Sequence, residues 1–475
     1  MRSLTSDNRF IFFAASALFV ITMALSIITG NYYLLAIPFA ALLFQTGWNS
    51  FPLMFFLLIA SIPFSAEIQV TESLGTDLPD ELLMLFVSLL FFFHVLNNAK
   101  AFFKMIWHPL IWLILLSFCW AVISSMFSTH IVVSVKFLLA KTWYIGAFLA
   151  ALFLICTRKD ELKKTAIVLA VSMLVCTMIV LIRHAMLGLS FADINIAVSP
   201  FFRNHVNYSA LLVCTIPIWY GCWKLSSSKL RSVISVIIVV LLIALFLSYA
   251  RGAWLALIIA IITGWLLMRK VILRTLLIVV LLATIAIGWL IKEDNYLRFA
   301  PDHNTTIFHE DFSEHLVATY EMKDLSAAER FYRWIAGVRM IPDHWLSGFG
   351  PGTFYSNYKP YAVPAFQTWV SDNEERSTVH NYFLLTAVEQ GIPGLVILLL
   401  LVGSVFYYAQ LLYHRIKDPF YRMASFVTAL IFAMILTLNL LSDLIETDKI
   451  GSLFFLCIAA LVIIDKKTEK SGSLY

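Results

Sequence analysis

Charge is what this 475-residue chain has least of: Asp, Glu, Lys and Arg make up 13% of it, against roughly 25% in a soluble globular domain. That shortage excludes a soluble protein. Hydrophobic residues reach 61% and mean hydropathy is +0.86, so apolar stretches recur from end to end and a single anchor on a soluble domain is excluded as well. Cysteine is sparse too. Cys119, Cys156, Cys176, Cys214, Cys222 and Cys457 fall in or beside apolar runs, with no CxxC and no metal-ligand spacing, and read as buried small hydrophobes. There is no P-loop, no GxGxxG after a strand, no HExxH, no GxSxG, no internal repeat and no low-complexity tract. A net charge of +5 on so apolar a chain gives a nucleic-acid partner little support.

What is present is a series of helix-length apolar runs, near 10–29, 32–47, 50–65, 80–96, 109–128, 134–156, 164–187, 206–222, 231–249, 252–268, 272–292, 380–412, 421–441 and 449–465. Several are short for a hydrocarbon core that needs about 20 helical residues. The expectation is an all-α polytopic membrane protein with 12 to 14 transmembrane helices. The first run is longer than a signal-peptide core and has no small-x-small cleavage site, so it is expected to be retained.

With a cytoplasmic N-terminus, alternate loops carry the basic residues: Lys100 and Lys104; Arg158, Lys159, Lys163 and Lys164; Lys224, Lys229 and Arg231; Arg269, Lys270 and Arg274; Arg415, Lys417 and Arg422; and the tail lysines. The opposite loops include the acidic stretches 71–81 and 442–448. One frame thus satisfies the positive-inside rule along the chain. It puts the long hydrophilic segment 293–379, with 13 of the 29 acidic residues, outside, in the periplasm of a bacterium. Three regions follow: a transmembrane bundle (1–292), a large, partly helical loop (293–379) and the last spans (380–475). A loop that long carries function or helices of its own, and SAAERFYRWIAGVRM predicts a helix opening near Ser326, with Glu329 three residues on, and running to Pro342. GFGPG (348–352) reads as a turn.

Basic groups on the outer side oppose this charge signal. They are Arg203; Arg251, within the short connection SYARGAW; the Arg330/Arg333 pair on the loop helix; and His380, which opens a span. A guanidinium at the bilayer surface either snorkels to lipid headgroups or meets an anionic substrate. Arg330 and Arg333, three apart, are helix-surface neighbours able to fork onto one phosphate-bearing group or to pair with Glu329. His380 is a base, a hydrogen-bond donor or a polar end cap. Glu389, nine residues on, is an acid inside an apolar run and takes either a functional or a paired role. His205 and Asn207 open another span. Arginines without a ligand cluster point to a diphosphate bound through cations alone, with no metal and no cofactor. Asp302, His303, His309, Glu310 and Asp311 are the counter-candidates for metal ligands.

In order around the long loop, RNHVNYSALL, SYARGAW, ERFYRWIAGVRMIPDHWLSGFGPGTF and STVHNYFLLTAVEQGIPGL resemble the O-antigen ligase and polymerase family over roughly Arg203 to Leu395. The resemblance is closest to the ligases. It implies a metal-independent glycosyltransferase of the GT-C type in the bacterial inner membrane. The implied donor is an undecaprenyl diphosphate-linked glycan and the implied acceptor a lipid A-core oligosaccharide. By position, Arg251, Arg330 and His380 match the family's catalytic residues. Arg333, Arg203, His205, Asn207, Asn381 and Glu389 are the expected substrate-binding set. Two other activities share the family, an O-antigen polymerase and a protein O-oligosaccharyltransferase; a lipid-linked glycan transporter would be of another class.

Overall fold

The computed structural model describes residues 19–25, 45, 47, 50–71, 74–97, 107–150, 159–299, 325–366, 371–373 and 377–472. Most of the first two expected spans lies outside these, as do Lys100, Lys104, Cys156, Arg158 and the counter-candidates Asp302 to Asp311. The helices before the long loop are α1 (Phe51–Ser61), α2 (Asp80–Asn97), α3 (Pro109–Met126), α4 (Ile131–Tyr144), α5 (Lys159–Met186), α6 (Ile194–Val198), α7 (His205–Leu225), α8 (Ser228–Leu247), α9 (Arg251–Met268) and α10 (Ile272–Ile291). The loop carries α11 (Leu325–Met340) and α12 (Phe354–Asn357), and α13 (Tyr382–Arg415), α14 (Pro419–Asn439) and α15 (Asp448–Gly472) follow.

Among the described residues, eight helices are long and apolar enough to cross a membrane: α3, α4 continued to Leu149, α5, α8, α9, α10 continued to Phe299, α13 and α14. The protein is a polytopic, almost entirely helical membrane protein. One departure from an all-α chain is a hairpin, β1 (Ala66–Thr71) against β2 (Leu74–Leu78), with Glu67 opposite Asp77. It stands where the sequence offered only an acidic loop. The run at 50–65 forms α1, of 11 residues, followed by a 3₁₀ turn at Ile62–Phe64.

Helix starts follow cap chemistry. The Asn204 side chain accepts from Asn207 N–H, Asn381 from Leu384 N–H, and Asp418, ahead of Pro419, from the N–H groups of Phe420 and Tyr421. α7 is buried along nearly its whole length and packs on α5, α8, α9 and α14. α9 meets α14 through Ala256, Ala260 and Gly264, spaced by four; a Cβ on Gly264 would lie 2.9 Å from Phe426. Small residues at that spacing let backbones approach where lipid supplies no hydrophobic drive. α10 buries only Ile272 and exposes Leu277, Leu281, Leu282 and Ile285, a face suited to lipid.

Loops assigned to the outside by charge bond to one another. Tyr249 Oη donates to Leu189 O (2.7 Å), Thr129 N–H to Phe349 O (3.0 Å), Asn381 Nδ2 to Leu440 O (3.2 Å) and Ser65 Oγ to Asp448 (3.0 Å). Those assigned to the inside do likewise: Arg415 pairs with Asp465, and His414 Nε2 lies 2.9 Å from Leu267 O. The packing alternates ends as the charges do.

Candidate active site

The end that the charges assign to the outside is organised by a helix break. Gly391 has φ +70° and ψ −179° and splits α13 into an upper and a lower segment. A break frees backbone carbonyls that need donors. The GFGPG turn supplies two: Phe349 N–H donates to Val388 O (3.0 Å) and Gly350 N–H to Glu389 O (2.9 Å). Trp120 Nε1 donates to Gln390 O (2.7 Å), and Ser124 Oγ donates to Glu389 O (2.9 Å). In return Ile392 N–H donates to Trp345 O (2.8 Å). The Glu389 carboxylate completes the joint, accepting Gly352 N–H at 2.8 Å and Phe354 N–H at 3.0 Å. Gly348 makes the approach possible: it has φ +71°, and a Cβ there would stand 2.2 Å from the Glu389 carbonyl. The turn and the intramembrane acid, separate signals in the sequence, are two halves of one lock.

Above this joint lies α11. Its apolar face, Tyr332, Ile335, Ala336 and Met340, packs with Phe349, Phe354, Tyr358 and Val379 in a second small core. The same helix carries Arg330, half-buried, and Arg333, buried. Arg333 is held by Glu329 at 3.1 Å and donates to Thr378 O at 3.4 Å, while Ser371 Oγ bonds Glu329 at 2.5 Å. Thr378 Oγ1 in turn donates to Asp443 at 2.6 Å.

His380 follows two residues later in a left-handed conformation (φ +54°). Burial first, then the guanidiniums of Arg333 and Arg330, pushes its imidazole down to about 3. At neutral pH the ring is therefore uncharged and has a nitrogen free of a proton. Asn381 caps α13 and ties it to the end of α14.

Arg251 reaches this end from another direction. Tyr249 (φ +56°) turns the chain sharply, and Arg251 occupies the first position of α9. The next residue, Gly252, approaches Leu441, the neighbour of the Leu440 carbonyl that binds Asn381. A cation at a helix N-terminus opposes the dipole and gains from an anion there.

The structure thus brings Arg330, Arg333, His380 and Asn381 together, with Glu389 beneath them and Arg251 reached through the α14 terminus. Arg203, His205 and Asn207 stand apart. Arg203 faces Glu67 at 3.8 Å, His205 bonds Asn195 through N–H and ring, and Asn207 lines a neighbouring cavity. Sequence reasoning missed Asp443 and the pair Lys141–Glu446 (2.9 Å). Lys141 lies inside an apolar run, a signal in itself.

Residues 236–399 match the family model for O-antigen ligase. The matched segment covers about a third of the chain, and over it the chain is similar to that family. Comparison with curated proteins finds no match. The matched segment begins in α8 and ends in α13, so it contains Arg251, Arg330, Arg333, His380, Asn381 and Glu389 and leaves out Arg203, His205, Asn207 and Asp443. Within the matched segment the structure places two guanidiniums beside an imidazole that burial and those charges keep neutral.

Proposed function

We propose that the chain is an O-antigen ligase of the bacterial inner membrane, an inverting, metal-independent glycosyltransferase of the GT-C type. Facing the periplasm, it transfers a glycan from undecaprenyl diphosphate to a lipid A-core acceptor. The observation that carries this reading is the meeting, inside the matched segment, of two guanidiniums with an imidazole that they help hold neutral.

The chemistry follows from the charges. The acceptor hydroxyl oxygen forms a bond to the anomeric carbon from the face opposite the diphosphate. The C–O bond to the diphosphate breaks and its electron pair leaves with the phosphate oxygen. Arg330 and Arg251 stabilise that developing charge, and the hydroxyl proton passes to the His380 imidazole. Arg333, paired with Glu329, shapes the field at His380 and positions the loop. Bound diphosphate offsets the guanidinium charges and makes the imidazole more basic as the reaction needs it.

Lipopolysaccharide from a deletion strain and its complemented parent tests the reading. Long glycan lost from lipid A while it accumulates on polyprenyl diphosphate is the expected result. Normal attachment with shortened chains indicates a polymerase instead.

A further inference from the structure

Beside the segment that matches the family, and formed by residues outside it, lies a polar cavity of about 440 Å³. Three distant segments build it: the β1–β2 hairpin with the start of α2, the stretch 199–207 that leads into α7, and 444–450 at the head of α15. The volume suits one or two sugar rings. Asn207, which lines the cavity, can donate to and accept from hydroxyls.

The charge of its lining is lopsided. Glu67, Asp77, Glu81, Glu446 and Asp448 face the cations Arg203 and Lys449. Most of the carboxylates are already engaged. Lys449 Nζ lies 3.2 Å from Asp448 and also bonds Ser65, Arg203 lies 3.8 Å from Glu67, and Lys141 reaches Glu446 from behind at 2.9 Å. Glu81 accepts from Thr76 Oγ1 at 2.6 Å and Asp77 N–H at 3.2 Å. Among the described residues no group donates to the Asp77 carboxyl. Burial, reinforced by the Asp448 carboxylate, pushes it up to about 6. Among the described residues no three His, Cys, Asp or Glu side chains converge as a metal ion requires. The imbalance therefore calls for an organic cation.

We propose that this cavity is a sugar subsite selective for a unit bearing a free ammonium group, which Asp77 receives while neighbouring polar groups take the ring hydroxyls. The inference rests on the ligase reading in one respect, that the sugar belongs to the donor or the acceptor glycan. The subsite lies across the 443–447 segment from Thr378 and His380, with Asp443 on one side and Glu446 on the other, so a glycan held here extends toward the reacting end.

The test measures binding of labelled glucosamine tetramer and its fully N-acetylated counterpart to the full-length protein in nanodiscs, at neutral pH. At least a tenfold preference for the free amine is expected. Asp77→Asn should erase that preference and leave the weaker binding of the acetylated tetramer in place. Equal affinities in the unmodified protein, or a preference that survives Asp77→Asn, overturn the proposal; the first comparison needs no variant. Competition by amine-bearing donor glycan or by amine-bearing core oligosaccharide tells which substrate supplies the sugar, and displacement by neither overturns its assignment to a substrate. Transfer is assayed in parallel. Transfer without amine preference sinks the subsite alone, whereas amine preference without transfer to any acceptor sinks the ligase reading alone.

Discussion

A guanidinium in the first turn of a helix sits against the positive end of the dipole, and Arg251 does so at the start of α9. Arg330 stands half-buried on α11 beside a second guanidinium. In the proposed reaction both are assigned to the donor diphosphate. Arg251→Ala and Arg330→Ala should each abolish transfer with the protein still inserted, and lysine should rescue poorly because a point charge lacks the planar fork. Full activity in either alanine variant removes that residue from the site. For His380 the sign follows from its environment. An imidazole lowered to about 3 stays neutral in the free enzyme well below pH 6, so kcat/KM should show no acid limb from this group near neutrality. Bound diphosphate raises the value, so the acid limb of kcat should lie at higher pH than that of kcat/KM. His380→Ala should slow transfer by about 10²- to 10⁴-fold and remove that difference. Collapse of donor binding with an unchanged profile would make His380 a binding residue.

At the scale of elements the joint between α13 and the GFGPG turn is the feature on which the site depends. Gly348→Ala places a Cβ 2.2 Å from backbone of Glu389 at φ +71°, and should cost most of the folded protein, read as loss of the monodisperse peak in fluorescence-detected gel filtration. Glu389→Ala leaves the N–H groups of Gly352 and Phe354 without their acceptor, at roughly 1–3 kcal/mol for the buried Phe354 donor and less for the more exposed Gly352. Its melting temperature should fall clearly, and an unchanged one contradicts the lock. The helix opening near Ser326 was legible because its cap signal is local; Asn381, expected to bind substrate, and the Asp418–Pro419 pair are local cap signals of the same kind that went unread. The break in α13 was missed too. Residues 380–412 read as one run although Glu389–Gln390–Gly391 and Pro393–Gly394 interrupt its hydropathy, and what stabilises a glycine turn there is a set of donors about 40 residues upstream and on α3. Glu389 was legible as an intramembrane acid needing a partner, whereas the partner's being backbone was not.

For the whole molecule, the alternation of lysine and arginine made the pairing of loop ends legible before any packing was known. The cavity beside Asp77 was not, because three segments spanning most of the chain must meet before its charges share a surface. In a cysteine-replaced background, Lys359→Cys should react with an impermeant maleimide added from the periplasmic side and Ser227→Cys should not; the reverse pattern inverts the topology. The central claim is glycan transfer, and purified protein in nanodiscs tests it most directly. Supplied with undecaprenyl diphosphate-linked glycan and lipid A-core in the presence of EDTA, it should produce glycan-bearing lipid A-core and release undecaprenyl diphosphate in equal amounts. No product with or without added Mg²⁺, from protein shown to bind the donor, would contradict the account.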